Sequence, residues 1–133
     1  MTPLYLTLHR WAATPYIWGE ADCMTSIADW VQEQCGFDPA ADVRGTYGDP
    51  AVCAVARRYA ANPLPMWDRS LAALARTEAP APGDIGLVIW SGERRLSGAL
   101  CLGREWASRV EGRGVMTGRV AWVEAAWGIN YAS

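Results

Sequence analysis

The chain has 133 residues, 51% hydrophobic and 20% charged, which supplies one globular core and is short for two. Its 14 acids and 12 bases leave a formal charge of −2, and the bases, all arginine, form no patch suited to nucleic acid. The lack of an 18-residue apolar run or a signal-peptide start predicts one domain, 1–133, made in the cytoplasm without membrane insertion.

In chain order, residues 2–13 carry Leu4, Tyr5, Leu8 and Trp11 at three- and four-residue intervals. That spacing predicts a short amphipathic helix with Thr2 as its cap and Pro3 at its first position. His9, the only histidine, lies off the stripe and reads as solvent-facing. A second helix is expected from Asp22 to residue 34 or 35, with Ile27, Trp30, Val31 and Gln34 at helical spacing and Gly36 as its stop. Residues 40–48 read as an extended loop. Asp49-Pro50 looks like a cap-plus-proline start for a helix running to about Ala61, with Val52, Cys53, Val55, Ala56 and Tyr59 on its apolar face. A further helical piece is expected over 67–76, burying Leu71 and Leu74.

From Thr77 the periodicity becomes that of strands. Glu78-Ala79-Pro80-Ala81-Pro82-Gly83-Asp84 is a rigid turn-forming stretch, and strands are expected over 85–90, 96–102 and 106–110. A short extended piece at Val115 follows, and 120–123 with Trp127 and Ile129 completes the sheet. Helices first and an antiparallel meander afterwards is an α+β order. Trp30, Trp90 and Trp122 read as core, while Trp11, Trp67, Trp106 and Trp127 could belong to core or interface.

Cys23, Cys35, Cys53 and Cys101 include no Cys-x-x-Cys pair, and with one histidine the chain is expected to bind neither metal nor cofactor. Free buried thiols are the simplest reading, with a Cys35–Cys53 disulfide left open. Cys23 differs from the other three. It follows a cap residue, Asp22, and a permissive Gly19, so it opens a helix, where unsatisfied N–H groups and the helix dipole favour a thiolate and a nucleophile.

The stretch Tyr16-Ile17-Trp18-Gly19, then Asp22-Cys23 opening a helix, then Pro82-Gly83-Asp84, then Ser97-Gly98-Ala99-Leu100-Cys101-Leu102-Gly103, resembles the NlpC-type cell-wall cysteine peptidases, a branch of the papain-like fold. The resemblance runs from about Tyr16 to Trp127. It implies an α+β NlpC-type domain with N-terminal helices packed on a small antiparallel sheet. It also implies Cys23 as nucleophile, with Tyr16, Trp18 and Asp22 around the substrate. The family's basic histidine would fall at Ser97, and its orienting residue near Ala107 or Ser108. Met24 stands where many members carry a serine that helps bind substrate.

A hydroxyl cannot take a thiol proton near pH 7, and Glu20 and Asp22 are weak bases for a thiol of ordinary pKa about 8.5. His9 could substitute only if the first helix folded back onto Cys23. The trace of a catalytic unit without its base implies a degenerate enzyme.

More narrowly, the Trp18-Gly19 to Asp22-Cys23 start and Arg44-Gly45-Thr46-Tyr47 are similar to small NlpC-like proteins of phage and gene-transfer-agent tails. This implies a tail-tip component beside hub and tip proteins, acting structurally or in contact with peptidoglycan. The competing expectations are an active peptidase cutting stem peptides and, more remotely, an immunity or toxin-associated papain-like domain of bacterial origin.

Overall fold

A computed structural model describes residues 2–131. Four helices precede a five-stranded antiparallel sheet: α1 (Pro3–Ala13), α2 (Cys23–Cys35), α3 (Ala54–Ala61), α4 (Leu64–Ser70), β1 (Ile85–Ile89), β2 (Ser97–Cys101), β3 (Trp106–Val110), β4 (Gly114–Gly118) and β5 (Trp122–Trp127). Among the described residues, no helix is long and apolar enough to cross a membrane.

Thr2 caps α1, its hydroxyl accepting from the Tyr5 N–H at 3.4 Å. The buried stripe is Leu4, Thr7 and Trp11, and Tyr5, expected within it, is exposed. The helix is rotated so that Thr7, not Tyr5, faces inward. α2 is the better specified helix. Asp22 and Thr25 form a reciprocal capping box, and Gly36 closes the far end at φ 83°. Its Ile27, Trp30 and Val31 face the core, and the Trp30 indole donates to the Gly83 carbonyl at 2.8 Å, tying the helix to the segment that leads into β1.

The middle of the chain departs from expectation in three places. Residues 39–45 are successive turns, not an extended loop, because the Ala40 carbonyl accepts from both Val43 and Arg44, and Arg44 is anchored on Asp38 and Asp29. Asp49-Pro50 caps a turn and not a helix. The Asp49 carboxylate takes the Ala51 N–H at 2.8 Å while its carbonyl takes those of Val52 and Cys53. α3 therefore begins four residues beyond Pro50, and Val52 is 84% exposed. The next helix starts and ends early, at Leu64 and Ser70, since Pro63 presets its first turn and Leu71 leaves helical geometry.

The sheet order is β4-β3-β2-β1-β5. The first four strands form the expected meander, but β5 crosses back to pair with β1, Ile85 opposite Trp127. A full five-residue β4 replaces the short piece expected at Val115. One sheet face, with Ile85, Leu87, Leu100, Ala125 and Trp127, packs with α1, α2 and α4. The other buries Val88, Trp90, Ala99, Cys101 and Trp106. Trp11, Trp67, Trp106 and Trp127 are all buried, whereas Trp122, expected in the core, is 59% exposed at the start of an edge strand.

The start of α2 lies directly on β2. A Cβ built on Gly98 would come within 2.9 Å of the Trp67 ring and 3.4 Å of the Cys23 carbonyl. Gly98→Ala is therefore expected to lower stability by about 1 to 2 kcal/mol in a denaturant titration, through overpacking at this contact.

Candidate functional site

A cavity of about 470 Å³ opens where the start of α2, the beginning of β2, the end of β3 and the 47–67 segment meet. Tyr16, Trp18, Asp22, Cys23, Ser97 and Arg109 all line it. The fold thus gathers five of the six residues singled out in the sequence, and adds Arg109. Ser108 is not among the lining residues.

The turn before α2 is organised by Asp22. One carboxylate oxygen accepts from the Thr25 N–H at 2.8 Å and from the Thr25 hydroxyl, and the other from the Gly19 N–H at 2.9 Å and the Tyr47 hydroxyl. The Asp22 N–H in turn donates to the Thr25 hydroxyl oxygen. Gly19 is required at this spot: its φ is +83°, and a Cβ would lie 2.3 Å from the Tyr47 carbonyl oxygen. Asp22 is buried and engaged by four donors. That is the bonding of a structural cap, and it leaves no free acceptor for the substrate-binding role implied above.

Cys23 occupies the first turn of α2, partly accessible from the cavity. The Gly98 backbone N–H is directed at its thiol and favours the thiolate. Burial and the neighbouring Asp22 carboxylate outweigh that donor, and the thiol is pushed up from 9.0 to about 11. At pH 7 about one molecule in ten thousand would carry the thiolate. This reverses the expectation of a helix-activated nucleophile, because the carboxylate that caps the helix also sets a negative charge beside the sulfur. The Cys23 N–H, a donor that could otherwise hold an oxyanion, is turned to the Tyr16 hydroxyl oxygen at 3.4 Å.

No histidine lines the cavity, and His9 is exposed on α1. Ser97 lies at the cavity wall, at the start of β2. Ser108 is buried, accepting from the Trp90 indole at 3.0 Å and donating to the Gly98 carbonyl at 2.9 Å. The paired residues of β2 and β3 are Leu100 with Ala107 and Cys101 with Trp106, and Ser108 takes up the carbonyl beyond them. Its hydroxyl completes the sheet and is not free to orient a base.

Tyr16 and Tyr47 flank the sulfur. Burial, chiefly, and the charges of Asp22 and, once it ionises, of Cys23 raise both phenols well above the usual range, so both are neutral at physiological pH. The Tyr16 ring packs edge-on against Trp18 at 5.0 Å, and the Arg109 guanidinium lies 5.8 Å from its centroid. Tyr47 and Arg109 were not foreseen as site residues. Tyr47 had only its place in the Arg44-Gly45-Thr46-Tyr47 loop to mark it. For Arg109 the signal was strand parity: Ala107 pairs with Leu100 on the helix-facing side, and Arg109, two residues on, repeats that face.

All four cysteines are free, so no Cys35–Cys53 disulfide forms, and of the four only Cys101 is buried. Cys53 sits at the start of α3, where the Gly48 and Ala56 N–H groups, foremost, lower its pKa. Alkylation with iodoacetamide at pH 7 to 8, followed by peptide mapping, is expected to modify Cys53 first and Cys23 last among the three accessible thiols.

Over residues 2–129 the chain matches a family described as Domain of unknown function (DUF6950). No curated protein and no solved structure matches it.

Proposed function

The chain belongs to the DUF6950 family, and we propose that it is a lapsed cysteine peptidase of the NlpC, papain-like kind, retained as a structural or peptidoglycan-contacting component of a phage-type tail tip. The observation that carries the lapse is the cavity: a helix-borne thiol faces it, no histidine lines it, and the thiol is held neutral. A thiol without a base lacks the group that takes its proton for acylation and then returns that proton to the leaving amine.

The tail-tip placement rests on the resemblance of Tyr16-Ile17-Trp18-Gly19, Asp22-Cys23 and Arg44-Gly45-Thr46-Tyr47 to tail-associated NlpC-like proteins. On this reading the protein is made in the host cytoplasm, assembles with hub and tip proteins and is carried on the virion. The abundance of tryptophan gives limited support for an interface, since Trp11, Trp30, Trp67, Trp90, Trp106 and Trp127 are spent in the core. Trp122 and the half-buried Trp18 remain for contact.

Purified protein incubated with sacculi is expected to sediment with them or to co-purify with a tail hub protein, and to release no muropeptide. Fragments released by the wild type but not by Cys23→Ala would establish the active peptidase instead. A chain that binds neither sacculi nor tail proteins would end the contact reading.

A further inference from the structure

Arg109 stands out within the cavity wall. Its side chain is only 5% exposed, yet none of the salt bridges among the described residues involves it. One Nη2 hydrogen goes to the Thr14 carbonyl, and the Nε–H is buried without an acceptor. The Tyr16 ring lies 5.8 Å away, and the Asp22 and Asp29 carboxylates act on the guanidinium only from beyond salt-bridge distance. A buried cation bonded directly to one neutral carbonyl, with its counter-charges at a distance, is costly unless something meets it at contact.

The guanidinium borders two cavities, the 470 Å³ one with Tyr16 and Cys23 and a smaller one of 270 Å³ lined by Ala12, Ala13 and Gly112. The larger has the chemistry to hold a ligand. Tyr16, Ser97 and Arg109 stand on its wall with the charged Glu93, Arg95, Glu111 and Arg113, while Met24, Met66 and Trp67 give it an apolar side, and its volume is that of a small-ligand site.

We propose that Arg109 forms a carboxylate-binding subsite, and that the larger cavity takes a short peptide whose free carboxylate meets the guanidinium while its apolar part lies along Met66 and Trp67. A guanidinium offers paired N–H donors matched to the two oxygens of a carboxylate. Of the three arginines on the cavity wall, Arg95 and Arg113 are exposed and only Arg109 is buried. The subsite goes beyond the reading above and requires neither a tail nor a sacculus.

The test is an NMR titration of the full chain with N-acetyl-alanyl-alanine, with its C-terminal amide and with inorganic phosphate, following the Arg109 Nε–H and the Cys23 and Gly98 amides. The acid is expected to shift all three signals. The amide should bind about tenfold or more weakly, as expected for loss of a charge-assisted contact. Arg109→Gln should remove the preference for the acid, and Arg109→Lys should restore only part of it. Should Arg109→Gln not fold, the acid and amide titrations of the wild type decide alone.

Equal binding of acid and amide, no binding of either, phosphate binding without peptide binding, or shifts confined to Ala12, Ala13 and Gly112 would each overturn the proposal. Sacculus sedimentation reports on the tail-tip reading independently, so either can fail while the other stands.

Discussion

Asp22→Ala is expected to destabilise the protein by about 4 kcal/mol, measured as a shift in the denaturant midpoint at unchanged slope. The carboxylate accepts from the Thr25 N–H, the Thr25 hydroxyl, the Gly19 N–H and the Tyr47 hydroxyl, all in a buried setting. Its removal strands several donors at once and uncaps α2, and loss of a cap alone typically costs about 1 kcal/mol. Asp22→Asn keeps one oxygen and is expected to lose roughly half as much. The same change removes the charge beside Cys23 and should lower the thiol pKa. A residue that served chiefly to bind substrate would show the reverse pattern, with stability near wild type and weakened ligand binding.

The second large effect is a loss of stability at alkaline pH. The Cys23 thiol rises from 9.0 to about 11 on folding, so the folded chain holds its proton where the unfolded chain has released it. For a group whose folded pKa is raised, the stabilising contribution is complete below pH 9 and disappears as pH climbs towards 11. The expected loss is roughly 2 kcal/mol across that window. Tyr16 and Tyr47, also raised by burial, extend the decline above pH 10. Unfolding titrations of the wild type and Cys23→Ala between pH 8 and 11 isolate the sulfur. The wild type should fall more steeply, and parallel curves would contradict the assignment.

Much of the architecture could be read from local chemistry. α2 was specified at both ends, by Asp22 and by Gly36, and β1 to β3 by apolar runs between glycine turns. What escaped depended on long-range packing. The return of β5 to β1 is decided by which sheet edge remains open, and no residue in 122–127 encodes that choice. Trp122 has the same composition signal as Trp127, yet one begins the edge strand in solvent and the other ends it against Trp67. Asp49-Pro50 carried a valid capping signal, but the Asp49 carboxylate was taken by the Ala51 N–H before a helix could start.

At the site, the positions of Tyr16, Cys23 and Ser97 around one cavity followed from their motifs, while the ionisation of Cys23 did not. The helix dipole is a property of the local sequence. The burial and the trapped Asp22 charge that oppose it arise only after Tyr47 and β2 close over the turn. Arg109 escaped for a related reason, since its burial without a salt bridge is a property of the assembled sheet and α1 end.

The most direct measurement is the pH profile of Cys23 alkylation in a chain with Cys35, Cys53 and Cys101 replaced by alanine. The account predicts a single transition near pH 11, with negligible reaction at pH 7. A transition below about pH 8, under the ordinary thiol value, would mean that a base or positive group serves the sulfur, and would contradict the lapsed-enzyme account.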